Sequence, residues 1–137
     1  MKSIPRLTDL EISIMKILWE EEKNLTIQEI TNRMEGLSVP SITQAMKHLI
    51  NKKAVVVAEH VLVSNVYART FKPLFNQDEF LQAEYKRVHT SVFGSKKFGA
   101  KGFMAALFNN SSKDEIGAEE IKELQQIIDA KKKEIEG

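Results

Sequence analysis

Apolar residues at Leu7, Leu10, Ile14 and Leu18, with Met15 and Ile17 beside them, recur with the period of one helix face and predict an amphipathic first helix. Thr8-Asp9-Leu10-Glu11 supplies its start, because a threonine hydroxyl and a glutamate three residues on can satisfy the orphan N–H groups of a first turn. Trp19 adds a large ring near the end, and the polar run Glu20-Glu21-Glu22-Lys23-Asn24 breaks the pattern. Thr26-Ile27-Gln28-Glu29 repeats the capping signature and opens a short second helix with Ile27, Ile30 and Met34 inward, stopped by Gly36. A third helix begins after Ser38, with Pro40 in its first turn where a missing N–H costs nothing. Its apolar edge is Ile42, Ala45, Met46 and Leu49. After Lys52-Lys53 the pattern changes to β-branched runs at residues 54–58, 61–63 and 66–71, which predict strands. Ser64-Asn65 is a plausible turn because Asn tolerates positive φ. A turn there pairs Val63 with Val66, Leu62 with Tyr67 and His60 with Arg69.

Pro73 ends the last strand, so Lys72-Pro73 is the expected domain boundary. Residues 1–72 then read as three helices and a hairpin, the winged form of helix-turn-helix. Residues 73–137 read as helical. Asn76-Gln77-Asp78-Glu79 caps a fourth helix with the stripe Leu81, Tyr85, Val88 and Val92, and Gly94-Ser95 interrupts it. A fifth helix holds Phe98, Phe103, Met104, Leu107 and Phe108, weakened at Gly99 and Gly102. A last helix, from about Ala118, carries Ile121, Leu124, Ile127, Ile128 and Ile135 and is expected to fray at Lys131-Lys132-Lys133. The fold class is thus mainly α with a small β-hairpin: an N-terminal winged helix-turn-helix domain and a C-terminal α-helical dimerisation domain. So small a helical domain presents more apolar surface than it can bury alone. The excess predicts a two-fold homodimer with Leu81, Tyr85, Val88, Phe103, Leu107, Ile121, Leu124 and Ile128 at its seam, the alternative being helices folded back onto the first domain.

Composition narrows the class. At 42% hydrophobic and 28% charged residues over 137 positions, the chain has the balance of a soluble globular protein. The absence of cysteine excludes disulfides, thiolate metal sites and cysteine nucleophiles. Apolar runs fall far short of the ~20 residues a membrane span needs, and no signal region follows the first residues; no membrane partner and a cytoplasmic location are expected. His48, His60 and His89 lack ligand spacing, and neither a nucleophile elbow nor a phosphate-binding glycine loop is present. No metal or cofactor is expected, and an enzyme is the least expected class. Net charge is only +1, yet residues 38–72 hold Lys47, Lys52, Lys53, Arg69 and Lys72 against Glu59 alone. That segment permits phosphate binding.

The third helix is unusual on its polar edge. Ser41, Thr43, Gln44, Lys47 and His48 replace the Glu/Lys mixture of a merely solvated face, with Ser38 before them and Asn51 and Lys52 after. A helix lying in the major groove needs such short donors and acceptors: Gln can bond adenine in two places, Ser and Thr reach bases or phosphates, and Lys reads guanine or neutralises phosphate. The expected DNA-binding set is Ser38, Ser41, Thr43, Gln44, Lys47, His48, Asn51, Lys52 and, from the hairpin, Arg69. A solvated amphipathic helix is the bland alternative. Two rival functions are a winged-helix protein-interaction module and a regulator sensing a small ligand among the phenylalanines of residues 98–108.

The stretches "LTDLEISIMKILWEEEKNLTIQEITNRM", "SVPSITQAMKHLINKKAVVV" and "NVYARTFKP" resemble the winged-helix domain of the penicillinase-repressor (BlaI/MecI) family. Carrying the resemblance are Glu11 with the Met15…Trp19 spacing, Leu25-Thr26-Ile27, Ser41-Ile42, Lys52-Lys53 and Tyr67. Residues 119–129, "EEIKELQQIID", are similar to the family's final dimerisation helix, so the resemblance covers essentially the whole chain. It implies a homodimeric transcriptional repressor on a palindromic double-stranded operator, relieved by an upstream membrane-bound sensor and protease. Three departures stand out. The family's cleavable Asn-Phe bond falls at Asn109-Asn110, the cysteine cluster of the copper-responsive branch is missing, and the usual basic wing is replaced by Val61-Leu62-Val63.

Overall fold

The computed structural model describes residues 3–93, 100–112 and 114–137. The chain divides into two compact units, Met1–Val88 and His89–Gly137. In the first, α1 (Asp9–Glu20), α2 (Ile27–Asn32) and α3 (Val39–Asn51) precede an antiparallel hairpin of β1 (Val55–Val63) and β2 (Val66–Pro73), followed by α4 (Gln77–Val88). This is the expected helix-helix-helix-hairpin order of a winged helix.

Both predicted capping boxes form. The Thr8 hydroxyl accepts from the Glu11 N–H at 3.2 Å while the Glu11 carboxylate accepts from the Thr8 N–H at 2.8 Å. Thr26 and Glu29 repeat the exchange. Helix α2 is shorter than its apolar spacing suggested: it ends at Asn32, which leaves Met34 in the following turn, and Gly36 takes a positive φ of 74°.

The hairpin has the expected register, with Val63↔Val66, Leu62↔Tyr67 and His60↔Arg69 paired. Ser64 and Asn65 adopt φ of 49° and 67°, the two left-handed residues that match a two-residue turn to the strand twist. Residues 54–58 and 61–63 are not two pieces, however. They belong to one strand with an irregularity between Val57 and Glu59, where a bulge at Ala58 absorbs one residue and keeps the ladder continuous. Leu25 bridges the other side of β2 at Phe71.

The core of this unit is built from Ile14, Met15 and Leu18 of α1, Leu25, Ile30 of α2, Ile42, Ala45, Met46 and Leu49 of α3, and Ala54, Val55 and Phe71 of the sheet. It extends beyond Pro73. Phe75 and Phe80 are buried and pack against Trp19, whose indole N–H donates to the Phe75 carbonyl at 2.8 Å. The proline ends the strand, but these aromatic rings attach α4 to the winged unit.

The second unit holds a π-helical turn (His89–Phe93), α5 (Ala100–Asn109) and α6 (Ala118–Glu136). The expected break at Gly94-Ser95, together with Phe98 and Gly99, lies outside the described residues, as does the side chain of Val92. The expected fraying at Lys131-Lys132-Lys133 is corrected: α6 continues through these lysines to Glu136, and the Lys131 ammonium lies 3.5 Å from the Glu134 carboxylate. Among the described residues no helix is long and apolar enough to cross a membrane.

Candidate nucleic-acid interface

Helix α3 is sided. Ile42, Ala45, Met46 and Leu49 are buried, whereas Ser41, Gln44, Lys47, His48 and Asn51 are exposed and Thr43 is half-buried. Helical spacing sets Ser41, Gln44, His48 and Asn51 in one stripe with Lys47 beside it.

The helix starts at Ser38, whose hydroxyl accepts from the Ser41 N–H at 3.3 Å and lies 3.0 Å from the Ser41 hydroxyl. The Thr43 hydroxyl donates to the Val39 carbonyl at 2.8 Å, and the Gln44 amide lies 3.2 Å from His48 Nε2. These are short-range contacts that a stronger partner can displace. Among the described residues Lys47 makes no ion pair, so its charge projects outward from this edge.

The helix-to-strand junction explains why the hairpin follows so abruptly. Lys53 takes a left-handed φ of 61°, its N–H donates to Ile50 and the Ala54 N–H donates to Leu49. This pair of bonds closes a helix end in the Schellman manner, where glycine is the usual residue. Nothing in the lysine side chain signals that conformation, so the sequence concealed it.

Lys52 is placed differently from its neighbours. Its ammonium lies 2.5 Å from Glu11 Oε1 and donates to the Arg6 carbonyl at 3.1 Å. Glu11 is only 2% exposed. Burial alone would raise its carboxyl, but Lys52 and the Thr8 N–H outweigh that and hold it below the ordinary range. The end of α3 is thereby tied to the start of α1. Arg69 is exposed on the hairpin with its guanidinium 5.7 Å above the Phe71 ring. The structure thus gathers Ser38 to Asn51 on one helix edge, sets Arg69 on another element, and turns Lys52 inward.

Residues 7–130 match the family profile described as Penicillinase repressor. The chain belongs to the penicillinase-repressor family, and with it to the transcriptional repressors. It is 27% identical over 135 residues, 96% of each chain, to the penicillinase repressor of Bacillus licheniformis. Among solved structures it is similar to the adhesin competence repressor AdcR of Streptococcus pyogenes (TM-score 0.42, 16% identity, 96% of this chain and 82% of that one). A second is FabT of Streptococcus pneumoniae in complex with DNA (TM-score 0.44, 12% identity, 90% and 77%).

Proposed function

We propose that this repressor acts in the cytoplasm as a homodimer, each protomer laying α3 in the major groove of a palindromic operator. The observation that carries the reading is the outward edge of α3. Six groups able to bond bases or phosphates, Ser41, Thr43, Gln44, Lys47, His48 and Asn51, lie opposite an edge sealed in the core. A dimer would place two such helices about one helical turn of DNA apart, or a small multiple of it.

The dimer reading is supported by apolar surface left uncovered in the single chain. Helix α6 buries none of its residues, with Ile121, Ile127 and Ile128 exposed and Leu124 half-buried. Phe103 and Leu107 of α5, and Leu81, Tyr85 and Val88 of α4, are exposed as well. Release by an upstream sensor or protease, as in the resemblance, would find Asn109-Asn110 exposed at the end of α5.

Selecting bound duplexes from a random pool tests the reading directly. A two-fold-symmetric site is expected, and Gln44→Ala should relax preference by ~1–3 kcal/mol at one base pair per half-site. An unchanged selected sequence with Gln44→Ala would remove Gln44 from base reading, and failure to enrich any duplex would remove DNA as the partner.

A further inference from the structure

Leu25 forms the first rung of a third-strand track along the outer edge of β2, and the chain leaves that track at once. The Phe71 N–H donates to the Leu25 carbonyl at 2.9 Å, and the two residues make an antiparallel bridge. Phe71 therefore turns its N–H away from β1. Backbone groups along a strand alternate between its partner and its free edge, so Arg69 and Tyr67 aim their N–H and C=O groups the same way as Phe71. The bulge in the hairpin lies on β1, between Val57 and Glu59, and leaves this alternation on β2 intact. At Thr26 the chain turns away to cap α2. Among the described residues no strand lies across from Arg69 and Tyr67 on that edge.

There is room for one. A cleft of about 310 Å³ has Tyr67, Ala68 and Arg69 on one wall and Thr26, Ile27 and Gln28 on the other. Three successive strand residues line it, whereas a cleft over one face of a sheet meets alternate residues; the cleft follows the edge. Natural sheet edges are commonly closed to added strands by proline, lysine or a bulge. Residues 66–70 hold neither proline nor lysine, and the bulge is on the other strand. Ile27 and Ala68 make part of the lining apolar, and among the described residues Arg69 is its one charged group.

We propose that this edge takes an extended peptide as an added strand, antiparallel to β2, with an acidic side chain directly across from Arg69. Main-chain hydrogen bonds to Arg69 and Tyr67 supply the affinity, as in other strand additions. The carboxylate fixes the register through the cross-strand pair, and the residues on either side of it turn toward the face of Ala68. This site is separate from the outward edge of α3 and does not depend on what that edge binds.

The probe is a capped pentapeptide, threonine-valine-glutamate-valine-threonine, titrated into the isotope-labelled full chain and followed by NMR. Saturable shifts are expected at the Arg69 and Tyr67 amides, and hydrogen exchange at both should slow once they are bonded. N-methylation of the glutamate, whose N–H faces β2, should abolish binding, and N-methylation of a valine should not. Arg69→Glu turns attraction into repulsion across the pair, so it should weaken the peptide about tenfold and favour its lysine analogue. Tyr67→Pro removes an outward donor and spares the β1 ladder, a position where an edge strand tolerates proline; it too should weaken binding, with an unchanged thermal midpoint showing that it is folded. Three results overturn the proposal: no shift at these amides at millimolar peptide, equal binding of the peptide methylated at glutamate, or slow exchange of both amides in the chain alone, which would mean that a second copy already covers the edge.

Discussion

Replacing Lys52 by Met separates two roles that one ammonium could play. The stem is kept and the charge removed, leaving the Glu11 carboxylate without its cation. Breaking a fully buried pair by deleting one partner costs ~3–5 kcal/mol, and an exposed pair contributes ~0–1 kcal/mol. Here the Glu11 side chain is 3% exposed and that of Lys52 34%, and the Thr8 N–H continues to serve the same carboxylate oxygen. A loss of ~2 kcal/mol lies between those limits. Urea unfolding followed by tryptophan fluorescence reads it cleanly, because Trp19 is the sole tryptophan and sits in the same unit. Glu11→Gln combined with Lys52→Met should recover ~1 kcal/mol or more of that loss, the coupling expected of groups in contact. The salt slope of DNA binding should not change. A Lys52→Met protein as stable as wild type whose salt slope falls by about one would refute the reasoning, since the ammonium would then serve phosphate.

Other outcomes follow from the same contacts. Lys53→Gly removes a side chain from a left-handed position whose strain costs ~1–2 kcal/mol, so urea unfolding should show the unit stabilised by ~1 kcal/mol after the entropic cost of glycine; a destabilised variant would mean the lysine side chain itself holds the junction. Glu11 and Glu29 are held below their usual value of 4.5, Glu11 by Lys52 and Thr8 against burial, and Glu29 by the Thr26 N–H and Lys23. A lowered folded-state value contributes stability above the unfolded value and loses it as pH falls through the folded one. The unfolding midpoint should therefore drop below about pH 4.5, less steeply in Glu11→Gln; parallel curves would show that Glu11 is not responsible. Leu124→Asp should convert a dimer to monomer in sedimentation without lowering the fluorescence-detected stability of the first unit, and an unchanged mass would exclude Leu124 from the seam.

Local chemistry was legible because it acts over three or four residues. The capping boxes at Thr8 and Thr26, the cap at Ser38 and the Ser64-Asn65 turn each depend on side chains meeting backbone nearby, and the 3.6-residue spacing of Ile42, Ala45, Met46 and Leu49 named the buried edge of α3. By default it named the polar edge too. What tertiary structure decided are matters of long-range pairing. Lys47 and Lys52 are the same residue type on the same helix, yet one projects outward and the other reaches a carboxylate far away in the chain, which no periodicity encodes. Pro73 ends a strand locally, whereas the attachment of α4 depends on Phe75 and Phe80 finding Trp19 across the sequence. The left-handed backbone at Lys53 is imposed by the helix and strand on either side of it, so it left no trace in the residue itself.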